Sequence, residues 1–341
     1  MSEIPSALAT RTGDAPDAPL LSVVVPIYDE EENLRPLHQA LTEALRSFGS
    51  RCEIIFVDDG SRDRSFALAA EIARDDPRVR VLRLRRNSGQ TAAMAAGIAE
   101  AAGEIIVPID ADLQNDPVDI ERLVAKLGEG YDVVSGWRKE RQDGGLTRRI
   151  PSRVANWLIS RMTGVALHDY GCSLKAYRAD VVKRLRLYGE MHRFIPAYAA
   201  LEGAAVTEIP VRHHPRRAGR SKYGLSRTLK VILDLLVLKF LGTFGTRPIH
   251  FFGTTGAALC LAGILAALET LWERFLYSGH TWVHNNPFIL LAVFLFLAGV
   301  QLIMMGLLAE IGIRTFHEAA GRAPYSIRER VGGGKRGSLD R

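Results

Sequence analysis

The stretch PIDADLQNDP (108–117) sets Asp110 and Asp112 two residues apart, directly after the apolar run EIIV, where a buried strand should end. Two further acidic clusters follow apolar runs in the same way: Asp29 and Glu30 after LSVVVPI, and Asp58 and Asp59 after CEIIFV. Each has an ordinary explanation alone. Asp29 can cap a helix, Glu30, Glu31 and Glu32 suit the positive end of a helix dipole, and Asp58 or Asp59 can cap beside a tight turn at Gly60. Capping gives no reason to crowd them, because like charges at close range raise one another's pKa and cost free energy. A divalent cation removes that objection, since Mg²⁺ or Mn²⁺ takes oxygen ligands, commonly carboxylates together with the phosphates of its substrate. A carboxylate at the second strand end can also accept from a nucleobase imide or a ribose hydroxyl. The chemistry to expect is a metal-assisted site for a nucleoside diphosphate. No GxxxxGK[ST] is present, and no GxGxxG follows a strand, so P-loop and dinucleotide-fold readings lose their main supports.

The elements that must position these groups are legible as an alternation. LSVVVPI, CEIIFV, VRVLRL, EIIVPI and DVVSGW are separated by helical patterns at Glu31–Phe48, Arg64–Arg74, Gln90–Ala102 and Pro117–Leu127. Strands apolar on both faces, with helices between them, predict an α/β fold whose mainly parallel sheet is covered by helices. In such sheets the ligand lies beyond the carboxyl ends of the strands, where the acidic clusters stand. After about residue 140 the alternation loosens, with a helix expected at Arg149–Met162, a loop through Asp169–Gly171, and a strand in AAVTEIPVRHH.

The chain has 341 residues, 47% of them hydrophobic, and a mean hydropathy of +0.03, high for a wholly soluble protein. The surplus lies in Ile249–Trp272 and Pro287–Ala309, each long enough for a bilayer core that needs about 20 apolar residues as helix. Their polar exceptions, Glu269 and Gln301, are expected to face protein. Gly224–Gly245, interrupted by Arg227, Lys230, Asp234 and Lys239, reads as an amphipathic helix in the membrane interface, the alternative being a helix packed on the soluble domain. Arg212–Lys230 holds seven Lys/Arg and no acid, and the tail carries Arg314, Arg322, Arg328, Arg330, Lys335, Arg336 and Arg341. The connector Glu273–Asn286 has only Arg274. Both flanks are therefore expected in the cytoplasm, and the net charge of +6 points to a membrane surface more than to nucleic acid. No signal peptide is evident, and Cys52, Cys172 and Cys260 lack the spacing of a zinc site or a disulfide framework. The expected order is a flexible tail (1–20), a catalytic domain (21–223), a juxtamembrane helix (224–247), a two-helix hairpin (248–312) and a basic cytoplasmic tail (313–341). This is the plan of a multi-pass membrane protein with both termini cytoplasmic.

VVVPIYDEEENL, VDDGSRDRS, NSGQTAAMAAGI, DADLQNDP and SGWR, in this order and spacing, resemble the family 2 inverting glycosyltransferases of the GT-A nucleotide-diphospho-sugar transferase fold, with DADLQ similar to their DXD metal motif. DYGCSLKAYR, FIPAYAA, EIPVRHHPRRAGRSKYG and the two apolar runs look like the polyprenyl-phosphate members: dolichol-phosphate mannose synthases, bacterial glucosyl-transferring relatives and undecaprenyl-phosphate aminoarabinose-type transferases. The resemblance covers Leu21 to Gly312. It implies that Pro26, Tyr28 and Glu30 line the nucleotide pocket, with Asp58 or Asp59 addressing the base. Asp110 and Asp112 would hold the metal and the sugar-diphosphate, with Gln114 as a further ligand. Arg138 matches an arginine that meets the leaving diphosphate, although Trp137 replaces the usual threonine. Arg216 and Lys222 match an Arg/Lys pair that meets phosphates, and Arg216, Arg217, Arg220, Ser221 and Lys222 would receive the lipid phosphate. Asp169 is the candidate positioner or base, its ordinary role being a loop cap, and His168 beside it is structural. Asn115 and Asp116 depart from the commoner DPP and are expected only to alter the next helix cap.

The implied reaction moves a sugar from a nucleotide donor, uridine favoured, to undecaprenyl or another polyprenyl phosphate at the bilayer, in a homo-oligomer such as a tetramer. A GDP-mannose-dependent mannose synthase is the alternative. A processive polysaccharide synthase would carry QxxRW and more spans, and neither is visible. A non-catalytic membrane scaffold would have no need to keep its acids crowded.

Overall fold

Residues 19–139, 160, 164–185, 187, 191–215, 248–276, 287–318 and 324–332 are described in the computed structural model. The expected helix at Arg149–Met162 (Ser160 apart), the juxtamembrane helix and the basic loop from Arg216 to Lys222 lie outside the described residues. The chain divides into two units, 1–236 with 324–341, and 237–323.

In the first unit the apolar runs become strands: β1 (Leu21–Ile27), β2 (Cys52–Asp58), β3 (Val79–Leu84), β4 (Ile105–Pro108) and β5 (Val133–Trp137), joined by β6 (Lys175–Arg178), β7 (Val206–Pro210) and β8 (Ile327–Val331). They form one sheet in the order β7-β5-β6-β4-β1-β2-β3-β8. Pairing is parallel except that β6 runs antiparallel to β4 and β5, and β8 antiparallel to β3. Every residue of β2 and β4 is buried, as the absence of a polar face requires. Alternate residues feed two cores. Val23, Val25, Ile54 and Phe56 pack with α1 (Glu31–Ala44), α2 (Ser65–Asp75) and α4 (Asp119–Leu127). Val24, Ile55 and Val57 pack with α3 (Gln90–Glu100), α5 (Ala179–Val182) and α6 (Ile195–Leu201). β2 lies on one side of β1 and β4 on the other, so the carboxyl ends of these three strands open onto a crevice at a topological switch point.

β8 was not expected: its five residues, IRERV, stand in what reads as a basic tail, with too few apolar positions to announce a strand. Its partners declare it instead, with Glu329 opposite Arg83 and Arg330 bonded to Glu100 at 2.8 Å.

The second unit is a hairpin of α7 (Pro248–Leu276) and α8 (Pro287–Glu318), both longer than the apolar runs that foretold them. The helices approach closely enough that a Cβ on Gly256 would fall 2.6 Å from the Gly299 carbonyl oxygen. Leu261, Leu265, Phe275, Leu290, Phe294 and Leu308 are exposed on the outside, a surface suited to lipid rather than water. Phe252–Glu273 and Phe288–Ala309 are long and apolar enough to cross a membrane, with mean hydropathies of 1.6 and 2.7. Glu269 and Gln301, expected to face protein, are exposed on the hairpin. A two-helix unit has a single seam, and small residues at Gly256, Gly263 and Gly299 occupy it.

Candidate functional site

The first acidic cluster does not cap its helix. α1 begins without a side-chain cap, and Asp29, in the left-handed region at φ 52°, reaches across to the turn after β2. Its Oδ1 accepts the Arg62 N–H at 2.8 Å, and its own N–H donates to Ser61 Oγ at 3.0 Å. Glu30 donates its N–H to Ser65 Oγ at 2.8 Å and accepts from Asn33 Nδ2 at 2.7 Å. Two strand ends are thus tied into one rim, beside Tyr28 and behind Pro26, which pairs with Val57.

Asp58 and Asp59, left open as alternatives for the base, have different surroundings. Both oxygens of Asp59 are committed, accepting the N–H groups of Ser88 at 2.7 Å and Gly89 at 2.8 Å, which holds the loop that opens α3. Asp58 is fully buried, and its Oδ1 accepts the Ser61 N–H at 3.2 Å. Its Oδ2 has no hydrogen bond and lies 3.5 Å from Arg83 Nε. Burial raises the pKa of both, in Asp58 against the Ser61 bonds and Arg83, in Asp59 against the two N–H donors.

At the end of β4, Leu113 is also left-handed, at φ 59°, and Asp112 Oδ1 accepts the Gln114 N–H at 3.2 Å, so the chain turns sharply around the acidic pair. Gln90 Nε2 donates to Asp110 Oδ1 at 2.7 Å. Asp110 is half-buried, and its pKa is raised to about 6 by that burial and then by the charge of Asp112. The Ser173 hydroxyl, Arg138 and Lys175 oppose the rise. The repulsion expected from the spacing is present. Among the described residues no group of three or more His, Cys, Asp or Glu could hold a metal. A cation would have Asp110 and Asp112, with the remaining oxygens from Gln114 or from substrate, a donor set that suits Mg²⁺ or Mn²⁺.

Arg138 leaves β5 toward this pair and is clamped by Asp169, Nε to Oδ2 at 2.7 Å and Nη2 to Oδ1 at 3.0 Å. Burial works against the guanidinium charge, yet the bonds and charge of Asp169 outweigh it and hold the pKa above its ordinary value. Gly171 allows the approach, since a Cβ there would lie 3.2 Å from Arg138 Nη2. Both Asp169 oxygens are thus engaged by Arg138. His168 stacks on Trp137 with centroids 4.3 Å apart and bonds Glu208.

Sequence reasoning missed three groups. Gln90 lies in a quoted motif but was given no role. Lys175 is buried on β6, its Nζ donating to the carbonyls of Cys172 and, at 3.3 Å, Tyr170, and burial lowers its pKa to about 8. His192, 2.6 Å from Thr91 Oγ1, is held neutral, with burial and then Arg193 and Lys175 lowering its pKa to about 3.

Asn115 and Asp116 do more than adjust a cap. Asp116 Oδ1 does accept the Val118 N–H at 3.1 Å, but its Oδ2 lies 3.1 Å from His214 Nε2 and 3.7 Å from Arg212 Nη1. Asn115 donates to Ser173 Oγ at 2.9 Å and bridges His213 through the backbone.

Residues 22–186 match the model of glycosyl transferase family 2. The chain is 44% identical over 322 residues to the dodecaprenyl-phosphate galacturonate synthase of Rhizobium johnstonii, covering 93% of this chain and 95% of that protein. It is 42% identical over 313 residues to the undecaprenyl-phosphate 4-deoxy-4-formamido-L-arabinose transferase of Pseudomonas paraeruginosa, covering 92% and 90%. In fold it is similar to glucosyl-3-phosphoglycerate synthase from Mycobacterium tuberculosis in complex with phosphoglyceric acid, at a TM-score of 0.52 and 21% identity, over 69% of this chain and 82% of that one. The same enzyme in complex with Mn²⁺, uridine diphosphate and phosphoglyceric acid gives a TM-score of 0.51 at 22% identity, over 69% and 81%. An acidic pair at a GT-A crevice, an arginine clamped toward it, and relatives matched almost end to end make this chain a member of glycosyl transferase family 2, among the polyprenyl-phosphate sugar transferases.

Proposed function

We propose that the chain transfers a sugar, with inversion, from a nucleoside-diphosphate sugar to the phosphate of a polyprenyl lipid at the cytoplasmic face of the bacterial inner membrane. The observation that carries this reading is the Asp110–Asp112 pair, in which burial and then the charge of Asp112 raise the Asp110 pKa to about 6, beside the clamped Arg138. The acceptors named for the two bacterial relatives, dodecaprenyl and undecaprenyl phosphate, support the acceptor class. Uridine is the favoured base.

A divalent cation, Mg²⁺ or Mn²⁺, would be held by Asp110 and Asp112 with Gln114, and when bound would stabilise charge on the leaving diphosphate. Pro26, Tyr28 and Glu30, with Asp58 or Asp59, bind the nucleotide. Gln90 orients Asp110, and Arg138, fixed by Asp169, meets the developing negative charge. Arg216, Arg217, Arg220, Ser221 and Lys222 receive the acceptor phosphate. A phosphate oxygen of the lipid attacks the anomeric carbon, the bond to the diphosphate oxygen breaks, and the nucleoside diphosphate departs. With a second pKa of about 6 the acceptor is already dianionic at neutral pH, so no strong base is required. The hairpin anchors the catalytic unit in the bilayer, with both termini cytoplasmic, in a homo-oligomer such as a tetramer.

The test is a panel of nucleotide-sugars offered to the detergent-purified protein with undecaprenyl phosphate and Mn²⁺ or Mg²⁺. One donor should yield a lipid-linked sugar, and Asp112→Ala should abolish the product. Full activity in that variant would remove the metal assignment, and no product from any donor would remove the acceptor class.

A further inference from the structure

The turn that carries the acidic pair is laced to the segment that leads into the basic run. The His214 N–H donates to the Gln114 carbonyl at 2.8 Å, Asn115 and His213 form an antiparallel bridge, and the Arg212 N–H donates to Asp119 Oδ2 at 2.6 Å. Over these main-chain contacts lies one side-chain junction, in which Asp116 Oδ2 meets His214 Nε2 at 3.1 Å and Arg212 Nη1 at 3.7 Å. Asp119, which anchors Arg212, is itself buried and paired with Arg122 at 2.6 Å. The arrangement is directional: the Gln114–Asp119 turn is fixed to the sheet by β4 and α4, whereas residues 212–214 follow the last paired residue of β7, Pro210. The turn therefore holds the segment. Arg216, the first cation of the segment from Arg216 to Lys222, follows His214 by two residues in the chain.

We propose that Asp116 and His214 form a positioning latch that registers residues 212–214, from which the basic run continues in sequence, against the donor turn. Neither is a catalytic residue; each acts through the segment it holds. The proposal rests on the transferase reading above and deepens it, by assigning two side chains to acceptor affinity and not to donor affinity. The junction is a polar contact, partly open to solvent, with Asp116 and His214 side chains 17% and 51% exposed, so its loss should loosen the segment without unfolding the unit.

The test combines kinetics with hydrogen exchange on the full-length protein in detergent micelles. Asp116→Ala and His214→Ala should each raise the KM for undecaprenyl phosphate about fivefold, the scale of one lost hydrogen bond. The KM for the nucleotide-sugar and kcat at saturating acceptor should stay within twofold. The double variant should be no worse than either single one, and His214→Gln, which keeps a donor for Asp116, should recover most of the acceptor affinity. The peptide containing residues 211–216 should exchange faster in Asp116→Ala while peptides of β1 and β4 do not change. Unchanged exchange overturns the latch as a structural device. Faster exchange with an unchanged acceptor KM, additive single effects, or equal losses for donor and acceptor overturn its assigned role. A wild-type protein that transfers nothing to polyprenyl phosphate refutes the transferase reading and the assigned role together, and is told apart from failure of the latch because it is seen without any substitution.

Discussion

Two things about Asp110 favour its neutral form: partial burial and the charge on Asp112. Its folded pKa of about 6 lies above the ordinary 3.8, so the group favours the fold below pH 4 and loses that contribution as the pH rises through about 6. A cation bound to the ionised pair reverses the penalty. The shift in thermal midpoint caused by Mn²⁺ with UDP should therefore be larger at pH 7.5 than at pH 5.5, and metal-supported transfer should decline as the pH falls through 6. Differential scanning fluorimetry across that range checks the first, and an equal metal shift at both values would contradict the assigned pair. The acids were legible in the sequence because type and spacing alone exposed the conflict. Lys175 and His192 were not, since nothing in KAYR or MHRF marks the ammonium or the imidazole as buried.

The parallel core was legible element by element, because β1, β2 and β4 are apolar on both faces and only a covered sheet explains that. Places where elements meet were less so. Asp29 has the composition of a cap and the geometry of a tie between two strand ends, and only the left-handed backbone at φ 52° distinguishes them. His192 joins its short turn to α3 through Thr91 at 2.6 Å. With its pKa lowered to about 3 from 6.5, His192 stays neutral in the fold while the unfolded chain takes up a proton, so stability is lost as the pH falls below about 6.5. His192→Gln should lower the unfolding free energy at pH 7.5 by about 1 kcal/mol through the altered bond, yet show a shallower decline between pH 7.5 and pH 5. Parallel denaturant titrations of the two proteins at both pH values measure this, and identical slopes would show that His192 does not carry the dependence.

At the scale of the whole chain, the two apolar C-terminal helices were legible from hydropathy alone, whereas the last strand of the sheet was not. β8 is polar, short and separated from β3 by more than two hundred residues, so no local pattern could pair them. Covering β3 replaces its edge by that of β8, whose exposed Arg328, Glu329 and Arg330 make a poorer template for further pairing. A chain ending at residue 323 should melt several degrees lower and self-associate, and light scattering in detergent checks both the midpoint and the particle mass. A truncated protein as stable and as monodisperse as the full chain would show that β8 adds nothing. The position of that strand also orders the protein's birth. Because β8 follows both apolar helices in the chain, both helices have been synthesised before the final strand exists. The sheet is therefore completed only on chains whose apolar hairpin has already been made, so the catalytic unit reaches its finished form last of all.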